Sequence, residues 1–214
     1  MKHIDLFSGI GGFSIGFERE GIETIAFVES DHGCRVVLES RWPSVPVWGD
    51  IRDIGGVPLS EPISSWAAGR SIRLAELTDV RPTWVVVENT GHRWRSWVPE
   101  LRSYLWEIGY ASVCLSVRAS EVGACHERHR AFVIANPDGE QLRKLSRWWR
   151  RQGREVADEL AESWDSEPRR LGANDGLPNG SHRRHALGNA VCPPVAQLIA
   201  KAINAVTSTP SQSK

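Results

Sequence analysis

Asp5-Leu6-Phe7-Ser8-Gly9-Ile10-Gly11-Gly12-Phe13, a glycine-rich turn near the start, constrains the fold more than any other stretch of the chain. A short apolar run, Ile4 to Phe7, feeds the turn, and an amphipathic helix, Phe13 to Glu20, leaves it. Glycines permit positive φ and close backbone approach, and a helix start offers unpaired N–H donors. This is the layout of a strand–loop–helix unit whose backbone faces a ligand, although such turns also serve plain hairpins and helix starts. A second apolar run, Thr24 to Val28, ends at Glu29, about twenty residues past the turn, where a nucleotide-binding sheet sets an acid against ribose hydroxyls. A third, Val45 to Trp48, ends in Gly49-Asp50. Acids at successive strand ends, on the side of the glycine turn, can bracket a nucleoside.

The pattern continues as a β/α alternation. Strands are predicted at 2–7, 24–28, 45–48, 83–88, 111–117 and 130–135. Helices are predicted at 13–20, 31–41, 72–79, 95–108, 141–162 and 190–206. That order implies an α/β fold: parallel strands, crossover helices on both faces, and sites at the carboxyl ends. Residues 1–206 are expected to form one domain, with a loop at 163–182 and a disordered tail at 207–214. No apolar run approaches a membrane span and no leader is visible, so a cytoplasmic protein is expected, in a bacterium or a phage-infected cell given the family named next.

DLFSGIGGFSIGFE, FVESDHGCRVVLESRWP and GDIRDI together resemble the opening of the cytosine-C5 DNA methyltransferase family. Later landmarks follow in the family's order. Trp84-Val85-Val86-Val87-Glu88-Asn89 resembles its Glu-Asn-Val motif, with Thr90 in place of Val. SEVGACHERHRAFVI resembles its Gln-x-Arg-x-Arg segment, with His126 for Gln and both Arg128 and Arg130 kept. RHALGNAVCPPV resembles its closing Gly-Asn-Ala-Val motif. The resemblance implies a Rossmann-like sheet, an S-adenosylmethionine (SAM) pocket and duplex DNA as substrate. It places Phe7, Gly9, Gly11, Glu29, Asp50 and Asn189 at the cofactor, Glu88 at the cytosine edge, and Arg128 and Arg130 in support. It also implies a recognition region after the Arg-x-Arg segment, for which only 136–183 is available here.

The family's reaction begins when a cysteine thiolate adds to cytosine C6, because C5 alone is a poor nucleophile. That cysteine belongs to a Pro-Cys loop carried by a strand between the Gly-Asp-Ile and Glu-Asn-Val motifs. The best fit lays Gly55-Gly56-Val57-Pro58-Leu59-Ser60 on the loop, with Leu59 at the cysteine's place and the carrying strand deleted. Leucine cannot add to C6. The four cysteines are Cys34, Cys114, Cys125 and Cys192. Cys34 and Cys114 read as core residues, and Cys192 as structural. Cys125, beside His126, is the outside candidate for a substitute nucleophile, an inert role being the alternative. No metal-ligand spacing occurs, so no metal is expected.

Two functions stay open at this level. One is methyl transfer from SAM to cytosine C5, with a partner chain supplying the missing loop. The other is a non-catalytic protein that binds SAM, DNA or another protein. A basic run, Arg143, Lys144, Arg147, Arg150, Arg151 and Arg154, interrupted by Trp148 and Trp149, suits DNA contact or a solvated helix face equally. The net charge of zero gives no general preference for nucleic acid. Trp94, Trp97 and Trp106 are expected to pack, and Trp42 and Trp48 to cover the sheet edge.

Overall fold

The computed structural model describes residues 1–53, 62–67, 81–162 and 186–207. Seven strands form one sheet: β1 (Lys2–Leu6), β2 (Glu23–Val28), β3 (Val47–Trp48), β4 (Pro62–Ala67), β5 (Trp84–Thr90), β6 (Ala111–Arg118) and β7 (His129–Asn136), in the order β3-β2-β1-β4-β5-β7-β6. The first five are parallel, while β7 runs antiparallel between β5 and β6. The helices are α1 (Gly12–Glu18), α2 (His32–Arg41), α3 (Trp94–Glu107), α4 (Gly139–Glu162) and α5 (Pro193–Thr207). The doubly wound arrangement predicted from the alternation is thus present, but the expected parallel order fails at β7, which pairs antiparallel with both of its neighbours.

Both faces of the sheet are covered, so its central strands are apolar throughout. Along β5, Trp84 and Val86 join the core shared with α1, α4 and α5, whereas Val85 and Val87 join the core under α3. Phe132 and Ile134 on β7 face the first core, and Val133 and Ala135 the second. A smaller cluster of Phe27, Leu38 and Trp42 seats α2, whose N-cap Asp31 accepts from the Cys34 N–H at 2.8 Å. His3 is fully buried against the Phe17 ring, and burial pushes its pKa down to about 3.

Helix α5 lies in a notch that glycines create on α1. A Cβ at Gly12 would sit 2.2 Å from the Val191 carbonyl oxygen, and one at Gly16 would sit 2.4 Å from that of Pro193. Part of the glycine-rich turn therefore serves helix packing. Although the stretch 186–207 is apolar and long enough to cross a membrane, much of it is buried against α1 and α4.

Several expectations need correction. The strand taken as deleted is present as β4, pairing in parallel with both β1 and β5. Its sequence, PISSWA, opens on proline and carries two serines, so no strand alternation marks it. Leu59 lies outside the described residues, but it precedes β4, so it cannot occupy a loop that follows that strand. The residues after β4 read Ala68-Gly69-Arg70-Ser71, again without cysteine. Trp94 and Trp106 are exposed, the latter 75%, rather than packed, and Trp97 is half-buried. The predicted helix 72–79, loop 163–182 and residues 208–214 of the tail lie outside the described residues.

Candidate functional site

Sheet register builds the site. Trp48, Val28, Leu6, Trp66, Val87 and Val133 form one continuous row across six strands. One residue further on, at the carboxyl edge of the parallel strands, come Gly49, Glu29, Phe7, Ala67 and Glu88. Glu29 and Glu88 are three strand spacings apart, about 14 Å. A nucleoside and a neighbouring planar base can share that edge.

On the first half of the edge, the Gly9 N–H donates to Glu29 Oε2 at 2.7 Å, and the Asp31 N–H donates to Glu29 Oε1 at 2.8 Å. Each carboxylate oxygen keeps a lone pair for a ligand hydroxyl. Gly9 has φ 54°, and no atom lies within 4 Å of where its Cβ would be. Phe7, 38% exposed with φ 55°, stands at the rim. These features fit the adenosine half of SAM: an acid for the ribose, open backbone at the turn and an accessible ring. Gly11 departs from its expected role, because its Cα faces Trp42 and a Cβ there would lie 2.5 Å from that ring. Asp50 ends β3 as expected, but Arg52 folds back onto its carboxylate through both its backbone N–H and its guanidinium. Asn189 is exposed on the helical turn at 186–189 that leads into α5.

The second half centres on Glu88, which is 4% exposed. Arg130 Nε lies 2.7 Å from Glu88 Oε1, close but without the alignment of a hydrogen bond. Burial pushes the Glu88 carboxyl up to about 7, against the downward pull of Arg130 and Arg128. Arg128 has a different task. Its guanidinium donates to the carbonyls of Gly188, at 2.6 Å, and Ala190, fastening the approach to α5 onto the sheet. Its backbone is held at φ 27°, a left-handed strain that this anchorage offsets. Arg130, not Arg128, is the direct partner of the acid.

Glu88, Val117, Arg128, Arg130, Phe132, Val191, Cys192 and Val195 line one small recess. Cys192, which the sequence favoured as structural, thus lines the recess beside Glu88. Cys125, the expected outside candidate, is exposed and does not line the recess. Cys34 is buried near Glu29 and Asp31, with its thiol pushed up to about 12 chiefly by burial. Cys114 sits on β6, half-buried and also raised by burial.

The basic run does not converge on this edge. Helix α4 begins beside Ala111, at the opposite end of the sheet, and reaches Gly123 only at Ala161. At ~1.5 Å per residue, Arg147 and Arg151 are about 15–21 Å along the axis from that end. Arg143 is paired with Glu140 and Arg154 with Asp158, while Arg147, Arg150 and Arg151 are exposed. At the Glu88 end, by contrast, His92, Arg93, Trp94 and Arg95 are exposed, with the Arg95 guanidinium 5.1 Å from the centre of the Trp94 ring.

Comparisons agree with this geometry. Residues 1–61 match the family model described as C-5 cytosine-specific DNA methylase. The Bacillus subtilis Type II methyltransferase M2.BsuMI is 29% identical over 163 residues, covering 64% of this chain and 42% of that protein. The Haemophilus influenzae Type II methyltransferase M.HindV is 27% identical over 196 residues, covering 78% and 64%. The chain thus spans about half the length of the curated relatives it matches. In structure it is similar to the S. pombe Dnmt2 methyltransferase (TM-score 0.62, 12% identity, 98% of this chain and 100% of that one). It is also similar to the Entamoeba histolytica methyltransferase EhMeth (TM-score 0.63, 10% identity, 98% and 99%). With its motifs set in family order along a Rossmann-like methyltransferase sheet, the chain is similar to the cytosine-C5 DNA methyltransferases, the family model matching its first 61 residues.

Proposed function

We propose that this chain binds SAM at the Gly9–Glu29 edge and directs methyl transfer to C5 of a cytosine in DNA held at Glu88. The observation that carries the reading is the register. It sets an acid fit for ribose hydroxyls and a buried, readily protonated carboxyl on one edge, with Arg130 beside the carboxyl. SAM, when bound, supplies an electrophilic methyl group. Glu88, with a pKa of about 7, can present a proton to the pyrimidine N3 near neutral pH. Arg130 holds that carboxyl in place, and Arg128 secures the α5 approach against it. Glu29, Gly9 and Phe7 orient the donor, with Asp50 and Asn189 at its margins.

DNA reaches the Glu88 edge past Arg93, Trp94 and Arg95 rather than along α4, whose Arg147 and Arg151 lie about 15–21 Å along the helix axis from that end. The residues after β4 offer no thiol, which favours a second reading: one subunit of an enzyme whose partner completes the site, or a SAM-binding protein without turnover. The deciding experiment is transfer of a labelled methyl group from SAM to unmethylated DNA by the purified chain. Label recovered as 5-methylcytosine supports the first reading. Intact SAM binding without transfer supports the second, and absence of SAM binding overturns both.

A further inference from the structure

We infer that the outer face of α4 is a self-complementary interface, on which a second copy of this chain docks antiparallel. The inference stands apart from the methyltransferase reading and concerns a surface that reading leaves unused. Leu142, Leu145, Gly153, Ala157 and Leu160 are the buried residues of α4 and mark its inner face. At ~100° per residue, Lys144, Arg147, Arg151, Glu155, Glu159 and Glu162 lie within about 60° of the direction opposite Gly153. All are exposed except the half-buried Lys144. The stripe is bipolar: no acid occurs from 141 to 154, and no cation from 155 to 162.

This division suits an isolated helix poorly. The last turn of α4 holds acids and no base, whereas the helix macrodipole favours cations there. Within a helix, a cation four residues before an acid is the weaker order of ion pair. Arg154 and Asp158 make such a pair at 3.8 Å, but the six stripe residues make no ion pair among the described residues.

A second copy satisfies the pattern. Arg151 and Glu155 lie two residues either side of Gly153, Arg147 and Glu159 six, and Lys144 and Glu162 nine. A two-fold axis at the level of Gly153 therefore sets each cation of one copy against an acid of the other, and every pair occurs twice. Arg151 meets Glu155, Arg147 meets Glu159, and Lys144 meets Glu162. Because the whole chain carries no net charge, two copies approach without long-range repulsion. Exposed pairs are individually weak, so the dimer is reversible and sensitive to salt. DNA fits only the basic half of the stripe and is repelled by the acidic half.

Sedimentation velocity of the full chain measures the assembly. Carbodiimide coupling, which joins an amine to a carboxylate in contact with it, locates the interface. Dimers at ~0.05 M salt that dissociate at ~0.5 M are expected. An amide between Lys144 and Glu162 is expected as well; on one helix these residues are about 27 Å apart, so the bond must join two copies. Arg147→Glu with Arg151→Glu should weaken self-association at least about tenfold, as should Glu155→Arg with Glu159→Arg. Mixing the two double variants should restore dimers, which misfolded chains cannot do. A monomer at low salt, a dimer without the Lys144–Glu162 amide, dimers untouched by either reversal, or a mixture that stays monomeric overturns the inference. Tighter DNA binding by Glu155→Arg with Glu159→Arg, with no self-association of the wild type, also overturns it and assigns the stripe to nucleic acid.

Discussion

Replacing Glu88 by Gln should make the protein relatively more stable as pH rises, although it breaks an ion pair. Glu88 titrates at about 7 in the fold and at 4.5 when unperturbed. Between those values the unfolded carboxyl is ionised while the folded one holds its proton, so stability falls as pH rises through the window. A gap of about 2.5 at ~1.36 kcal/mol per pH unit amounts to about 3 kcal/mol. At pH 4.5 the folded acid is neutral and nearly isosteric with Gln, so the two proteins should match closely. By pH 8 the variant should lead by about 3 kcal/mol, or a urea midpoint higher by ~1 M at a slope near 3 kcal/mol/M. Urea unfolding followed by tryptophan fluorescence at several pH values measures this. The comparison must be between variants, because His3 acts oppositely. Its folded pKa of about 3 lies below 6.5, so stability is lost as pH falls from 6.5 toward 3. From 4.5 to 6.5 the two slopes offset each other in the wild type. A net-stabilising buried ion pair predicts the reverse, a variant several kcal/mol weaker at pH 8. That result, or a gap constant with pH, would refute the reasoning.

Gly12→Ala should destabilise at the upper end of the ~1–3 kcal/mol of overpacking, because its Cβ meets the Val191 carbonyl at 2.2 Å; a near-unchanged melting temperature would sink the notch argument. Glu29→Ala should weaken SAM binding by tenfold or more, about 1.4 kcal/mol, in calorimetric titration, and undiminished affinity would remove Glu29 from the site. Arg147→Ala with Arg151→Ala should leave DNA affinity and its salt slope unchanged, whereas Arg93→Ala with Arg95→Ala should weaken binding and flatten the slope; fluorescence anisotropy across a salt series reads both.

The sequence made the strand–turn–helix opening legible because small residues and apolar alternation are local signals. Glu29 was legible as a strand-end acid and Glu88 through its resemblance to the Glu-Asn-Val motif, and the parallel order of the first five strands followed from the alternation. The fourth strand was not, because PISSWA has no alternation and owes its extended form to pairing with two neighbours. The roles of individual glycines were also hidden. Gly9 and Gly11 look alike in sequence, yet one opens onto space and the other presses on Trp42. The basic run read equally as DNA contact or solvent face, and only the direction of α4 along the sheet separates those roles.

Recovering the fourth strand changes what the missing cysteine means. With the strand deleted, loss of the thiol would belong to a larger loss of the central sheet, and a relic would follow. With β4 in place, the row from Glu29 through Phe7 and Ala67 to Glu88 is continuous, and the acid keeps its burial and its Arg130 partner. Burial raises that carboxyl against the pull of Arg130 and Arg128, and the Gln substitution argued above measures what holding it there costs. Glu88 thus stands beside two arginines on an unbroken edge, which is the arrangement the proposed methyl transfer requires, and the labelled-methyl assay decides whether the chain uses it.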